Sequence, residues 1–280
     1  MAPAVMAAVL FSAVLHAAWN TLIKASRDKQ TDATLVCIAG GLIAAAALPF
    51  LPSPLPASWT WIGASIVLHV AYFSLVARAY RFGDLSYVYP LMRGSAPLIV
   101  ALATAVLLRE RLSAGEWLAV GMLCAGVLTL AWEAHAARPG HGTATVSAIA
   151  NALVIAAYTV VDGIGARASG DAAAYTLWMF LLTAAPLTAM GLWRDRAALR
   201  ARAARSWWLA LAGGACTVGA YTIVLWAMTR APIALVAALR ETSVLFGTLL
   251  GGLVLRERLG GVRSLAVGLI AAGAIALKLL

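Results

Sequence analysis

Apolar stretches of about 20 residues, each long enough to cross a hydrocarbon layer roughly 30 Å thick, follow one another along this chain with only short gaps. They run 3–24, 33–51, 58–79, 85–108, 114–132, 145–166, 173–193, 206–228, 232–255 and 262–280. No segment remains that could form a water-soluble domain. A soluble domain carries roughly 25% charged residues, whereas this chain has 11%, with 63% hydrophobic residues and a mean hydropathy of +0.90. The expected fold class is all-α integral membrane with ten transmembrane helices.

Turn chemistry marks the gaps. Pro49, Pro52, Pro54 and Pro56 break the chain between spans two and three. Arg138-Pro139-Gly140-His141-Gly142 separates span five from span six and divides the chain into 1–137 and 138–280. The first stretch has no basic residues before it and no soluble domain after it, so it reads as a retained span rather than a signal peptide. The net charge of +10 raises the question of nucleic acid, but Lys and Arg lie at span ends and in short loops, as the positive-inside bias requires. The densest run, Arg194, Arg196, Arg200, Arg202 and Arg205, reads as a membrane-flanking loop that also attracts anionic headgroups. Cys37, Cys124 and Cys216 sit in apolar stretches without metal or redox spacing, as small packing residues do. No cofactor or metal ion is expected.

An internal repeat organises the halves. Leu108-Arg109-Glu110-Arg111-Leu112 recurs as Leu255-Arg256-Glu257-Arg258-Leu259, an offset of 147. At that offset 15 of the 38 residues in 93–130 are identical to those in 240–277, among them Arg93 with Arg240, Gly121 with Gly268 and Gly126 with Gly273. Each half then has five spans. An odd number forces the second half to enter the membrane in the opposite sense, the inverted repeat that secondary transporters use for alternating access, with substrate bound near the midplane.

These motifs resemble the paired EamA domains of the drug/metabolite transporter superfamily. The resemblance rests on the Leu-Arg-Glu-Arg-Leu end of span four, its repeat, and the glycine-bearing fifth and tenth spans, and it covers essentially the whole chain. His16-Ala17-Ala18-Trp19-Asn20 with Lys24, and Tyr87-Val88-Tyr89-Pro90-Leu91-Met92-Arg93-Gly94, are similar to a bacterial subgroup associated with phosphonate utilisation. What the resemblance implies is a ten-helix transporter with a central cavity and both termini inside. Counting charge gives the opposite orientation: the odd-numbered loops carry fourteen Lys and Arg and the even-numbered loops four, which places both termini outside.

Ionisable groups at membrane depth are costly and mark pathways or pairs. Arg93 and Arg240 each lie eight residues into their spans, roughly 12 Å deep. Together they would form an anion clamp, since guanidinium binds carboxylate or phosphonate bidentately; alternatively each pairs internally with Glu241 or Asp162. Those two carboxylates are either counter-ions or carriers of a coupling proton. His16, Asn20 and Lys24 share one face of span one beside Trp19, either lining a cavity or bonding to a neighbouring span, with Lys24 snorkelling to the interface as a further reading. Tyr72, Tyr89, Tyr158 and Tyr221 lie deep enough to line the same cavity or to serve as packing, and His69 sits one turn from Tyr72. Trp59, Trp61, Trp207 and Trp208 read as interfacial anchors. Pro90 and Pro97 bracket Arg93 and kink span four. The Arg-Glu-Arg turns read as caps and gate-region turns. The glycines of spans five and ten are suited to close packing, within one chain or across a dimer.

The expected function is secondary transport of a small polar or anionic metabolite across the cell membrane by alternating access. Flipping of a phosphorylated lipid intermediate is the alternative. An intramembrane lipid enzyme is disfavoured by the lack of HExxH or a metal-ligand cluster. The expected partners are a small-molecule metabolite and the lipid bilayer, with no nucleic acid, in a monomer or homodimer.

Overall fold

The computed structural model describes residues 1–24, 28–137, 142–247 and 260–279, and among these every regular element is helical. In chain order they are α1 (Pro3–Lys24), α2 (Lys29–Ala47), α3 (Trp59–Phe82), α4 (Leu85–Leu107), α5 (Ala114–Ala137), α6 (Gly142–Ala168), α7 (Ala172–Met228), α8 (Ile233–Arg240) and α9 (Gly261–Leu279). Helices satisfy their backbone groups internally, as hydrocarbon demands. Among the described residues, eight segments are long and apolar enough to cross a membrane.

One of the eight counts twice. The 57 residues of α7 would reach about 85 Å if straight, far beyond a bilayer. The run breaks instead at Asp195 (φ −157°, ψ 86°) and Ser206 (φ −137°, ψ 24°). Two spanning arms, 172–194 and 207–228, are thereby joined by a short helix over 196–205. Asp195 Oδ1 accepts from the Ala198 amide at 2.8 Å, a side-chain cap that starts the connecting helix. Arg202 on that helix reaches Asp32 near the start of α2 with two bonds, Nε to Oδ1 at 2.7 Å and Nη2 to Oδ2 at 2.8 Å. The expected ends of spans seven and eight, at 193 and 206, fall at these breaks.

Local signals account for other boundaries. Asp171 caps α7 by accepting from the amides of Ala173 and Ala174. Ser113 and Glu116 form a reciprocal capping box at the start of α5, with the Ser113 amide on Glu116 Oε2 at 2.7 Å and the Glu116 amide on Ser113 Oγ at 3.2 Å. Span nine departs from expectation. The stretch 232–255 reads as one helix, but α8 ends at Arg240, Glu241 is a turn residue, and helix resumes over 242–247. The Glu241 amide donates to Ala238 O at 3.0 Å and the Val244 amide to Glu241 O at 3.0 Å. These tighter i→i+3 bonds are joined by the Thr242 hydroxyl, which takes Leu239 O at 2.7 Å and competes with the backbone ladder.

Small residues set the closest contacts. α2 lies against both arms of α7: a Cβ on Gly41 would fall 2.5 Å from Ala184 Cβ, and one on Gly214 would fall 2.8 Å from the Gly40 amide nitrogen. α5 packs on α9. A Cβ on Gly126 would meet Ala266 O at 2.8 Å and Ile270 Cγ1 at 2.7 Å, and one on Gly273 would meet Ala119 O at 2.9 Å and Leu123 Cγ at 2.8 Å. These two glycines pack within the chain, while Gly121 and Gly268 face open space. α3 packs on α6, α1 on α7, and α4 on α5, α6 and α8. Trp207 and Trp208 are exposed, as interfacial anchors are.

Candidate functional site

The charged centre lies where α4, α6 and α8 meet. Arg93 projects from the stretch of α4 between Pro90 and Pro97 and is 6% exposed, and Glu241 at the break after α8 is 3% exposed. Arg93 Nη2 lies 2.7 Å from Glu241 Oε1. The two charges are close but poorly aligned. Arg93 Nε and Nη2 and Glu241 Oε2 have no hydrogen-bond partner among the described residues. A cavity with room for about one water molecule adjoins them, lined by Arg93, Pro97, Thr159, Ala237, Arg240 and Glu241. Buried polar atoms without partners are uncommon and costly, and here a guanidinium edge and a carboxylate oxygen are left open beside a cavity.

Arg240 enters the same cavity but takes a different neighbour. Its guanidinium carbon stands 5.1 Å from the ring centre of Tyr221, a cation–π contact. Arg240 therefore does not pair with the adjacent Glu241; that carboxylate goes to Arg93. Successive residues at a helix end point apart, so adjacency in sequence is a poor guide to pairing.

Asp162 differs from the counter-ion reading. It is fully buried on α6, yet its partners are hydroxyls. Tyr175 donates to Oδ1 at 3.0 Å, and Tyr221 donates to Oδ2 at 2.5 Å. The reason is position. Asp162 faces the two arms of α7, and Tyr221 stands between it and Arg240. Sequence reasoning missed Tyr175, which lies two residues into its span where a tyrosine reads as an interfacial anchor.

Aromatic residues form the wall between these groups. His69 stacks on Tyr158 with ring centres 4.4 Å apart and meets Tyr221 edge-on at 6.1 Å, while Tyr72 meets Tyr158 edge-on at 5.7 Å. His69 Nδ1 contacts both Ser65 Oγ at 3.2 Å and Ser65 O at 2.9 Å. On α1, Trp19 Nε1 donates to His16 Nδ1 at 3.2 Å and Asn20 Nδ2 donates to His16 O at 2.8 Å. The polar face of α1 thus satisfies itself in part, and Asn20 turns back along its own helix. His16 remains within electrostatic range of both arginines, as Tyr89 is of Arg93 and Glu241. His16, Tyr72, Tyr89, Tyr158, Arg93, Arg240 and Glu241 are therefore gathered in one region. Trp19 and Asn20 border it through His16, and Tyr221 and Asp162 lie on its far side.

A second cluster lies at the first Arg-Glu-Arg turn, which the sequence marks as a cap, and adds Arg167, which sequence reasoning left as a flanking charge. Glu110 Oε1 accepts from Arg167 Nη2 at 2.9 Å and from the Ile233 amide at 3.1 Å. Arg167 also donates to Met228 O at 2.8 Å and Ala231 O at 3.0 Å. The carboxylate caps the positive end of α8 while the guanidinium gathers carbonyls near the end of α7. The first Arg-Glu-Arg turn thus acts through its glutamate. Arg109 beside it has φ of 54°, a strained backbone held by its surroundings. The equivalent turn at 256–258 lies outside the described residues, as do Arg27 and Arg138 of the charge count.

A polytopic bundle of apolar helices with opposed charges buried beside a small cavity is an architecture suited to a membrane permease. The sequence profile of the EamA-like transporter family matches residues 3–132 and again 143–279, and the chain belongs to this family of the drug/metabolite transporter superfamily. The fold is similar to that of a solved crystal structure titled only as a protein, with a TM-score of 0.75 and 22% identity over 98% of this chain and 95% of that one. No curated protein matches the chain.

Proposed function

We propose that the protein is a secondary transporter that moves a small anionic or zwitterionic metabolite across the cell membrane by alternating access. The observation that carries this reading is the unfilled Arg93 edge beside Arg240 and Glu241 at a small cavity. Two guanidiniums against one carboxylate leave the immediate cavity lining one positive charge in excess. A monoanion neutralises it, and a zwitterion places its carboxylate on Arg93 and its ammonium on Glu241 Oε2.

Ten spans in two inverted five-helix repeats, 1–137 and 138–280, are the frame for this mechanism. Nine crossings follow from α1 to α6, the two arms of α7, and α9, and the segment beginning with α8 supplies the tenth. The contacts of Gly126 with Ala266 and Ile270, and of Gly273 with Ala119 and Leu123, exchange with one another under the offset of 147. That exchange is what a two-fold axis between the halves produces. The packing of α3 on α6 and of α1 on the second arm of α7, where Leu15 lies 3.7 Å from a Cβ built on Gly219, is a second such exchanged pair. Rocking of one half against the other about this axis would expose the cavity to alternate faces.

A thermal-shift screen of the purified protein tests the reading, with lactate, L-alanine, phosphonates, organic phosphates and cationic drugs as probes. A ligand at about 100 times its dissociation constant stabilises by about 2.7 kcal/mol. Anions or zwitterions are expected to shift the wild type, and to shift neither Arg93→Ala nor Arg240→Ala from its own baseline. Shifts produced only by cations, and retained in both variants, would remove the arginines from the site.

A further inference from the structure

Asp162 is the one carboxylate among the described residues that is fully buried and faces no cation directly. Two tyrosine hydroxyls donate to its two oxygens. The groups that face it come from every packed element. Tyr175 and Tyr221 belong to the arms of α7, Ser65 and His69 to α3, and Tyr158 to its own helix. Arg240 follows α8 behind Tyr221, and Arg93, Tyr89 and Glu241 lie beyond Tyr158. Tyr221 is therefore shared: its hydroxyl binds Asp162 while its ring carries the Arg240 guanidinium.

We infer that Asp162 is the proton-carrying group of the transport cycle and that Tyr221 links it to occupancy of the cavity. This rests on the substrate reading above. An anion arriving between the arginines draws Arg240 off the ring of Tyr221. A released ring rotates, and its hydroxyl leaves Asp162 Oδ2. A buried carboxylate that loses a donor and a nearby positive charge cannot stay ionised in an apolar surrounding. It takes a proton from hydronium at the open face, forming an O–H bond at Oδ2 and leaving water. No electrons are transferred. The anion and the proton then travel in the same state of the protein, and loss of the anion returns Arg240 and Tyr221 and expels the proton. The alternative carboxylate, Glu241, keeps Arg93 at 2.7 Å and makes no hydrogen bond to the shared Tyr221.

Infrared difference spectroscopy of the full chain in lipid vesicles at neutral pH reads the protonated carboxyl carbonyl directly. Wild type without ligand is expected to show no such band from Asp162. Tyr221→Phe is expected to gain one, equivalent to about one proton per protein. The band should vanish in Tyr221→Phe combined with Asp162→Asn, and should move when aspartate carries a carbon-13 carboxyl, which assigns it without the second substitution. Lactate added to wild type is expected to raise the same band, and to add nothing in Tyr221→Phe. Absence of the band in Tyr221→Phe, or a band indifferent to aspartate labelling, overturns the inference. So does lactate that stabilises the wild type thermally without producing the band. Lactate that fails to stabilise at all refutes the proposed substrate class instead, and the Tyr221→Phe band still decides the role of Asp162.

Discussion

Replacing Glu241 by Gln leaves Arg93 buried without a countercharge, and the cost follows from the geometry. Both side chains are under one-tenth exposed, with nitrogen and oxygen 2.7 Å apart. At an effective dielectric near 20, unit charges about 4 Å apart interact by about 4 kcal/mol, and breaking one side of a buried pair costs about 3–5 kcal/mol. At about 3 °C per kcal/mol for a chain of this size, Glu241→Gln should lower the unfolding midpoint in detergent by about 10 °C. Arg93→Met should cost less, because Glu241 can become neutral by taking up a proton whereas guanidinium cannot lose one. The sign with pH follows: the deficit of Arg93→Met shrinks as pH falls, since folding of that variant takes up a proton, and the deficit of Glu241→Gln does not. The double variant Arg93→Met with Glu241→Gln should recover most of the loss. Four thermal melts at two pH values decide the matter. Losses that add in the double variant, or a Glu241→Gln midpoint equal to wild type, would refute a coupled pair.

The other expectations concern packing and closure. Gly126→Ala and Gly273→Ala place a Cβ against backbone carbonyls and should each cost about 1–3 kcal/mol, while Gly121→Ala and Gly268→Ala should leave the melting midpoint unchanged. Glu110→Gln weakens the contact with Arg167 and the Ile233 amide; thiol labelling of Ala231→Cys should accelerate in that background, and an unchanged rate would show that the cluster does not close this face. Arg202→Gln, at a half-exposed pair with Asp32, should cost no more than about 1 kcal/mol, with the difference fading in high salt.

Span positions were legible because hydrocarbon imposes a length and a composition on every segment. The breaks around the connecting helix were legible too, since Arg194 to Arg205 cannot sit in an apolar layer. The charged centre was legible as a set of residues, because an ionisable side chain has few reasons to be inside a membrane. Their pairing was not. Arg93 finds Glu241 through the tertiary contact of α4 with α8, and no sequence offset records that contact. The break at Glu241 carries neither Gly nor Pro, and its one local signal, the Thr242 hydroxyl on Leu239 O, is one that many unbroken helices also carry. Asp162 was mistaken for an ionic partner because tyrosine hydroxyls from two arms of another helix satisfy it, and Tyr175 looked like a boundary residue. Arg167 and Glu110 lie 57 residues apart at the ends of helices, where each alone reads as a flanking charge.

Arg93 and Arg240 occupy equivalent places in the two copies of the repeat, but the residue after Arg240 is Glu241 and the residue after Arg93 is Gly94. In two identical halves of opposite sense, the inward-open and outward-open forms would be related by a two-fold rotation and equal in energy, with no resting preference. One carboxylate without a counterpart removes that degeneracy. It ties Arg93 of the first half to the second half in a bond that the second half's own Arg240 does not reciprocate. In the proposed cycle that bond is one of the differences between the halves that would set the two open forms of the empty carrier at unequal energies.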